Sequence, residues 1–470
     1  MAKKIRNAKK GEKRRVKESM NLKENKMGTM PINKLLISMA LPMMISMLVQ
    51  ALYNIVDSMF VSYISEDALT AVSLAFPIQQ LMIALGTGTG VGVNAVLSKA
   101  LGEKDFEKAN TAAENGIFLS IASFVLFLFI GLFVVDPFYA SQTKDMEILQ
   151  AGHDYLSVVC CFSIGLYTQI ICERLLQATG RTVLSMLTQG IGAVTNIILD
   201  PILIFGMFGL PAMGVKGAAI ATVIGQCISA SVGIWMNVKK NPDIKISFKG
   251  FLPDLKMIGT IYKVGVPSII MQAVGSVMNY GMNQILIGFT STATAVFGAY
   301  YKLQSFIFMP VFGLNNGMIP IIAYNYGAGQ RKRVIQTIRS SVILAVAIML
   351  VGLAAMQIFP AQLLAIFNAS DHMLSIGVPA LRLISLSFIF AGYCIVTGSV
   401  FQALGNGIYS MITSIVRQMA VLLPVAFLLS LSGNVDLVWL SFPIAELFSV
   451  TLSTVFLIKI NKEIISKIGS

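Results

Sequence analysis

Apolar runs of about 20 residues, separated by short polar breaks, fill the chain from about residue 34 to residue 460. Six lie near 34–62, 69–97, 113–136, 148–171, 183–205 and 213–237, and six more near 262–289, 294–323, 337–360, 373–398, 408–431 and 436–460. At a rise of about 1.5 Å per residue, ~20 residues of helix cross the ~30 Å apolar core of a bilayer. The pattern predicts an all-α polytopic membrane protein with twelve transmembrane helices.

The second six runs repeat the first. The segment QATGRTVLSMLT, Gln177 to Thr188, recurs as QALGNGIYSMIT, Gln402 to Thr413, a displacement of 225 residues. The same displacement joins Pro42 to Pro267, Asn54 to Asn279, Gln79 to Gln304, Gly92 to Gly317 and Gly102 to Gly327. With an even number of spans per half, the repeats are parallel and are expected to enclose a central cavity, as in secondary transporters. The expected organisation is a basic tail over 1–33, an N-lobe over 34–237, a linker over 238–262 containing NPDIK and FLPDLK, a C-lobe over 263–460 and a tail over 461–470.

Composition agrees: 56% of residues are hydrophobic and 12% charged, against about 25% charged in a soluble domain. The formal charge of +13 reflects topology. Of the 35 Lys and Arg residues, 30 fall in 1–34, 98–112, 172–182, 238–263, 327–339 and after 458, all on one side of a twelve-span thread. This predicts a plasma (inner) membrane protein with both termini cytoplasmic, and no nucleic-acid partner. No signal peptide is expected, since the N-terminus has no short apolar region or cleavage site. Five cysteines and two histidines have no metal-ligand or catalytic spacing, so neither an enzyme nor a cofactor is expected.

Function is then sought among polar groups within the spans, where an ionisable side chain is costly. Asp57, Asp200, Lys302, Arg382, Arg417 and Glu446 stand out. Asp57 and Asp200 sit in the first and fifth runs, which thread the membrane in the same direction, roughly 8–9 Å short of their outer ends. They can therefore share one site. Helical spacing puts Gln50, Tyr53, Asn54 and Asp57 on one stripe, and Gln189, Asn196 and Asp200 on another. Burial disfavours the charged form of a carboxylate, which suits proton uptake and release. The oxygens of Asp57, Asp200 and Asn196 equally suit sodium.

The segments NIILDPILIFG (Asn196 to Gly206), LPMMISMLVQALYNIVDSMFV (Leu41 to Val61) and GLNNGMIPIIAYNYGAG (Gly313 to Gly329) resemble the multidrug and toxic compound extrusion (MATE) transporters, in particular the DinF-like and related bacterial multidrug branch. The resemblance runs from about Met30 to Lys462. It implies that Asp57, Asn196 and Asp200 match the family's cation-coupling positions, where protonation is thought to bend the first span. Pro42, which lacks a backbone donor, is compatible with such bending. The NorM-type branch instead places acids in the seventh and tenth spans. Here the seventh offers the neutral stripe Gln272, Ser276, Asn279 and Asn283, and the tenth carries Arg382. Coupling is therefore expected in the N-lobe, with Gln50, Tyr53, Asn54, Gln189, Asn279 and Asn283 as supporting or substrate-cavity residues.

The resulting expectation is a monomeric antiporter exchanging H+ or Na+ for amphipathic, cationic organic compounds. The alternative is a flippase for a lipid-linked oligosaccharide of the same superfamily, which should show a strongly basic cavity. GTGTGVGVN, Gly86 to Asn94, reads as close helix packing. ALGEKDFEKA and NYGAGQRKRV read as turns into charged surface helices after Gly102 and Gly327.

Overall fold

The computed structural model describes residues 25–248, 251–367 and 369–469. Most of the basic tail, along with linker residues 249–250 and terminal residue 470, lies outside them. Among the described residues there is no strand.

The N-lobe contains α1 (Ile32–Ser62), α2 (Glu66–Gly102), α3 (Phe106–Phe133), α4 (Met146–Cys161 and Ile164–Ala178), α5 (Thr182–Phe205) and α6 (Gly214–Lys240). The C-lobe contains α7 (Leu255–Ile287), α8 (Ser291–Gly327), α9 (Arg331–Ile358), α10 (Asp371–Ser385 and Phe388–Ala403), α11 (Gly407–Ile415, a π turn over Val416–Leu422, then Leu423–Ser430) and α12 (Ser441–Glu463). Among the described residues, ten helices are long and apolar enough to span, and twelve spans result when α4 and α10 each count as one. Those two, expected as plain spans, are bent by 46° and 49°. The bends fall at Phe162–Ser163 and Leu386–Ser387, about one repeat apart, where Ser163 N bonds Cys160 O and Ser387 Oγ bonds Ile384 O.

The repeat reaches individual caps. Ser65 accepts from Ala68 N to start α2, and Thr290, 225 positions on, accepts from Ala293 N to start α8. Each cap satisfies an otherwise unpaired donor and contributes about 1 kcal/mol. In α1, Pro42 cannot bond the Ser38 carbonyl, and the Thr182 hydroxyl reaches that oxygen at 3.5 Å, while the helix continues to Ser62. The linker is shorter than expected. α6 continues to Lys240, and Asp254 caps α7 through Lys256 N and Met257 N. What remains is pinned to α3, where Asn110, Glu114 and Asn115 accept from the backbone of Lys245, Ser247 and Asp254. No separate charged helix follows Gly102 or Gly327; those charges open α3 and α9 themselves.

The lobes meet through α1 against α8 and α2 against α7. Gly88 on α2 has room only for Ile269 and the Gly265 carbonyl of α7, and Gly92 only for the Ile261 carbonyl. Gly313 and Gly317 of α8 abut Met44 and Ala40 of α1 in the same way. These contacts lie in the helix halves nearest the basic loops, so the lobes close on that basic face. Both ends of the described chain lie there, Asn25 bonding Thr179 O and Gly469 packing on Gly329. A short segment before α1 ties the lobes together. On one side it uses Asn25 and Thr179; on the other, Met27 O accepts from Asn325 Nδ2 (3.0 Å) and Arg333 Nη2 (2.8 Å), and Met30 O from Arg333 Nη2 (2.8 Å).

Candidate functional site

Asp57 and Asp200 come together inside the N-lobe. Asp57 lies five residues before the end of α1 at Ser62 and Asp200 five before the end of α5 at Phe205, a rise of roughly 7–8 Å each. Their carboxyl groups face each other within hydrogen-bonding reach. Asp200 and Asn196 are buried, and one helical turn brings Asn196 Nδ2 3.3 Å from Asp200 Oδ1. The same amide nitrogen donates to Thr222 Oγ1 of α6 at 3.2 Å, and Tyr53 of α1 lies beside Thr222.

With both amide hydrogens engaged, the oxygens left over are Asn196 Oδ1, Asp57 Oδ1 and Asp200 Oδ2, all buried and without a hydrogen-bond partner. Buried polar atoms are rarely left so. Three acceptor oxygens gathered on α1 and α5 form a group to which a proton or a small hard cation can add. Tyr155 of α4, buried beside Asp57 and Tyr53, accepts from Gln79 Nε2 at 3.1 Å and closes the cluster.

A second network lies roughly 10–16 Å nearer the basic face. Gln189 Nε2 donates to Gln50 Oε1 at 2.8 Å, and the Ser46 hydroxyl donates to Gln189 Oε1. Gln50, Tyr53, Gln189, Asn196, Asp57 and Asp200 are thus connected as two groups along α1 and α5. Asn54 is not brought into either; its side chain is exposed and its carbonyl accepts from Ser58. Asn279 and Asn283 are half-buried on α7, in the other lobe. Nearby on their stripe, Gln272 Nε2 donates to Thr87 Oγ1 of α2 at 2.6 Å, a polar bond between the lobes.

Among the remaining charges, Lys302 Nζ lies 5.9 Å over the Phe367 ring, Arg382 is exposed, and Arg417 pairs with Glu446 at 2.8 Å. Thr222, Tyr155 and Ser46 escaped the sequence reading, being ordinary residues of apolar runs. Glu173 and Arg174 escaped because the fourth run was ended at 171, whereas α4 continues to Ala178 and buries both. Arg174, counted as a loop residue, donates to Gln177 and, across the lobes, to Asn316 Oδ1 at 2.9 Å. GTGTGVGVN is a packing segment, with Gly86 against Ile170 and Gly90 against Arg174.

The profile of the MatE family matches residues 42–202 and 267–428, once in each lobe. The chain is 29% identical over 425 residues to the multidrug export protein MepA of Staphylococcus aureus (strain N315), covering 88% of this chain and 91% of that protein. Its fold superposes on a MATE protein crystallised with MaL6, with a TM-score of 0.88 at 24% identity over 94% of this chain and 99% of the other. It superposes equally on a multidrug resistance MATE family transporter of the MOP superfamily in an outward-facing conformation, with a TM-score of 0.87 at 24% identity over 94% and 98%. With matches that cover most of both repeats, the chain belongs to the MatE family and has the twelve-helix fold of its transporters.

Proposed function

We propose that this chain is a secondary active exporter of the plasma (inner) membrane, with cytoplasmic termini, that exchanges H+ or Na+ for amphipathic, cationic organic compounds. The observation that carries the reading is the Asp57–Asp200 pair with its three unpartnered buried oxygens. Two carboxylates at that range repel unless a cation stands with them. A proton or sodium ion entering there stabilises the helix arrangement in which α1 and α5 hold the carboxyls together. An organic cation stabilises another, and differential binding to the two drives exchange. MepA's description as a multidrug export protein supports the substrate class. The outward-facing relative supports reading the closure on the basic face as the outward-open state, in which the cation site is loaded from outside. Proton and sodium suit the donor set equally, and the chain works as a monomer in this reading.

The test is export of a fluorescent lipophilic cation from vesicles reconstituted with the full chain, under a proton gradient and a sodium gradient applied separately. Gradient-driven export by wild type, lost in Asp57→Asn and in Asp200→Asn with insertion intact, is the expected result. Normal coupled export by Asp200→Asn would remove the site assignment. No transport of the cation under either gradient by folded protein would favour a lipid-linked oligosaccharide as cargo.

A further inference from the structure

We propose that Arg417 and Glu446 form a second cation site in the C-lobe, one that the protein fills with its own guanidinium and yields to an organic cation. The proposal rests on the export reading above and places part of the substrate's recognition in the other lobe.

Arg417 Nη1 of α11 lies 2.8 Å from Glu446 Oε1 of α12. The pair is asymmetric, with 25% of the Arg417 side chain exposed but only 10% of the Glu446 side chain. Glu446 Oε2 is buried without a hydrogen-bond partner. Tyr300 of α8 and Cys394 of α10 lie within electrostatic reach of the carboxyl, and the Ser449 and Ser453 hydroxyls, which follow Glu446 along α12, lie beside Cys394. The carboxylate is thus the more enclosed partner, and the guanidinium carries the exposed surface of the pair. The next residue, Gln418, packs opposite Gly275 on the polar stripe of α7, between Gln272 and Asn279.

The repeat shows that the fold does not require these charges. The positions 225 residues earlier are Gly192 and Ala221. In the N-lobe, Gly192 lets α5 pack directly on Gly225 and Ser229 of α6. A buried ion pair is often no more stabilising than such apolar packing, because both charges give up water. Its presence within a spanning lobe therefore points to a role in binding.

The backbone allows the guanidinium to leave. Arg417 lies in the π turn Val416–Leu422. π turns interrupt the α ladder and recur at functional sites. Return of this turn to α geometry re-registers the helix by one residue, a rotation of roughly 100°, and takes Arg417 off Glu446. An organic cation with apolar substituents can then take the carboxylate with less loss of hydration than a small ion.

The experiment is binding of radiolabelled tetraphenylphosphonium to the purified full chain, with neutral tetraphenylmethane as the shape control. Arg417→Met, which leaves Glu446 without its internal cation, should tighten phosphonium binding about fivefold or more. Adding Glu446→Gln should abolish the gain, and tetraphenylmethane should bind all variants alike. Arg417→Lys, which retains charge but loses the planar fork, should tighten binding by a smaller factor and serves if Arg417→Met does not fold. Unchanged phosphonium affinity in the folded Arg417 variants, or a gain that persists without Glu446, would overturn the proposal. Ion-driven export measured on the same preparations separates the failures: export with no Arg417 effect removes this site alone, whereas no export by wild type removes the reading beneath it.

Discussion

Gly102 on α2 and Gly327 on α8 make the same contact reciprocally. Gly102 abuts the Tyr324 carbonyl and Gly327 abuts the Lys99 carbonyl, and both glycines and both carbonyls stand 225 residues apart. The duplication has produced a pseudo-twofold interface in which each lobe presents one patch to its copy, as isologous dimers do. Because the opposing atoms are backbone, a side chain at either glycine cannot be accommodated by a rotamer change. We predict that Gly102→Ala and Gly327→Ala each destabilise closure of the basic face by about 1–3 kcal/mol, roughly 5- to 150-fold in the ratio of the two states. Distances between spin labels on the basic ends of α2 and α8 should lengthen. Distances equal to those of wild type would show that the close approach is not tied to closure.

The same closure is held by Arg333, whose guanidinium bonds Met27 O, Met30 O and Asn325 Oδ1. Hydrogen bonds from a charged donor are worth about 1.5–3 kcal/mol each, and the Met27 and Met30 bonds exist only while the segment before α1 lies across both lobes. Arg333→Ala should release it. The readout is tryptic cleavage after Lys26 and Lys34 in vesicles exposing the basic face, identified by the mass of the fragment. Cleavage several-fold faster than in wild type is expected, and an unchanged rate would make the segment a passive tail.

Local signals identified most of the architecture and half of the residues gathered in the candidate site. Twelve apolar runs and one displacement were sufficient for the lobes, because span length and repetition are properties of the chain itself. Asp57 and Asp200 were legible since a carboxylate in an apolar run has few innocent explanations. Thr222 was not: a hydroxyl in an apolar run is common, and what matters is that α6 turns it toward Asn196. Glu173 and Arg174 were missed for a related reason, their helix continuing past its apolar run because the second half of α4 is buried by its neighbours. The bends in α4 and α10 depend on packing that no local pattern encodes.

Under the proposed exchange, Thr222 also distinguishes a proton from a sodium ion. Its hydroxyl accepts from Asn196 Nδ2, fixing the amide so that the nitrogen serves Asp200 Oδ1 and Asn196 Oδ1 is left without a partner. Thr222→Val keeps the branched shape and deletes the hydroxyl, at a cost of about 1 kcal/mol in the hold on Asn196. The two ions respond in different directions. A proton competes with the Asn196 donor for Asp200, so loosening that donor makes protonation easier, and export should be half-activated at a pH about 0.7 unit higher. Sodium instead uses the Asn196 oxygen, so loosening the amide should raise the half-activating sodium concentration about fivefold. Thr222→Ser should restore wild-type behaviour in either case. Ion dependence unchanged in Thr222→Val would show that Asn196 is positioned without help from α6 and would confine the coupling group to α1 and α5.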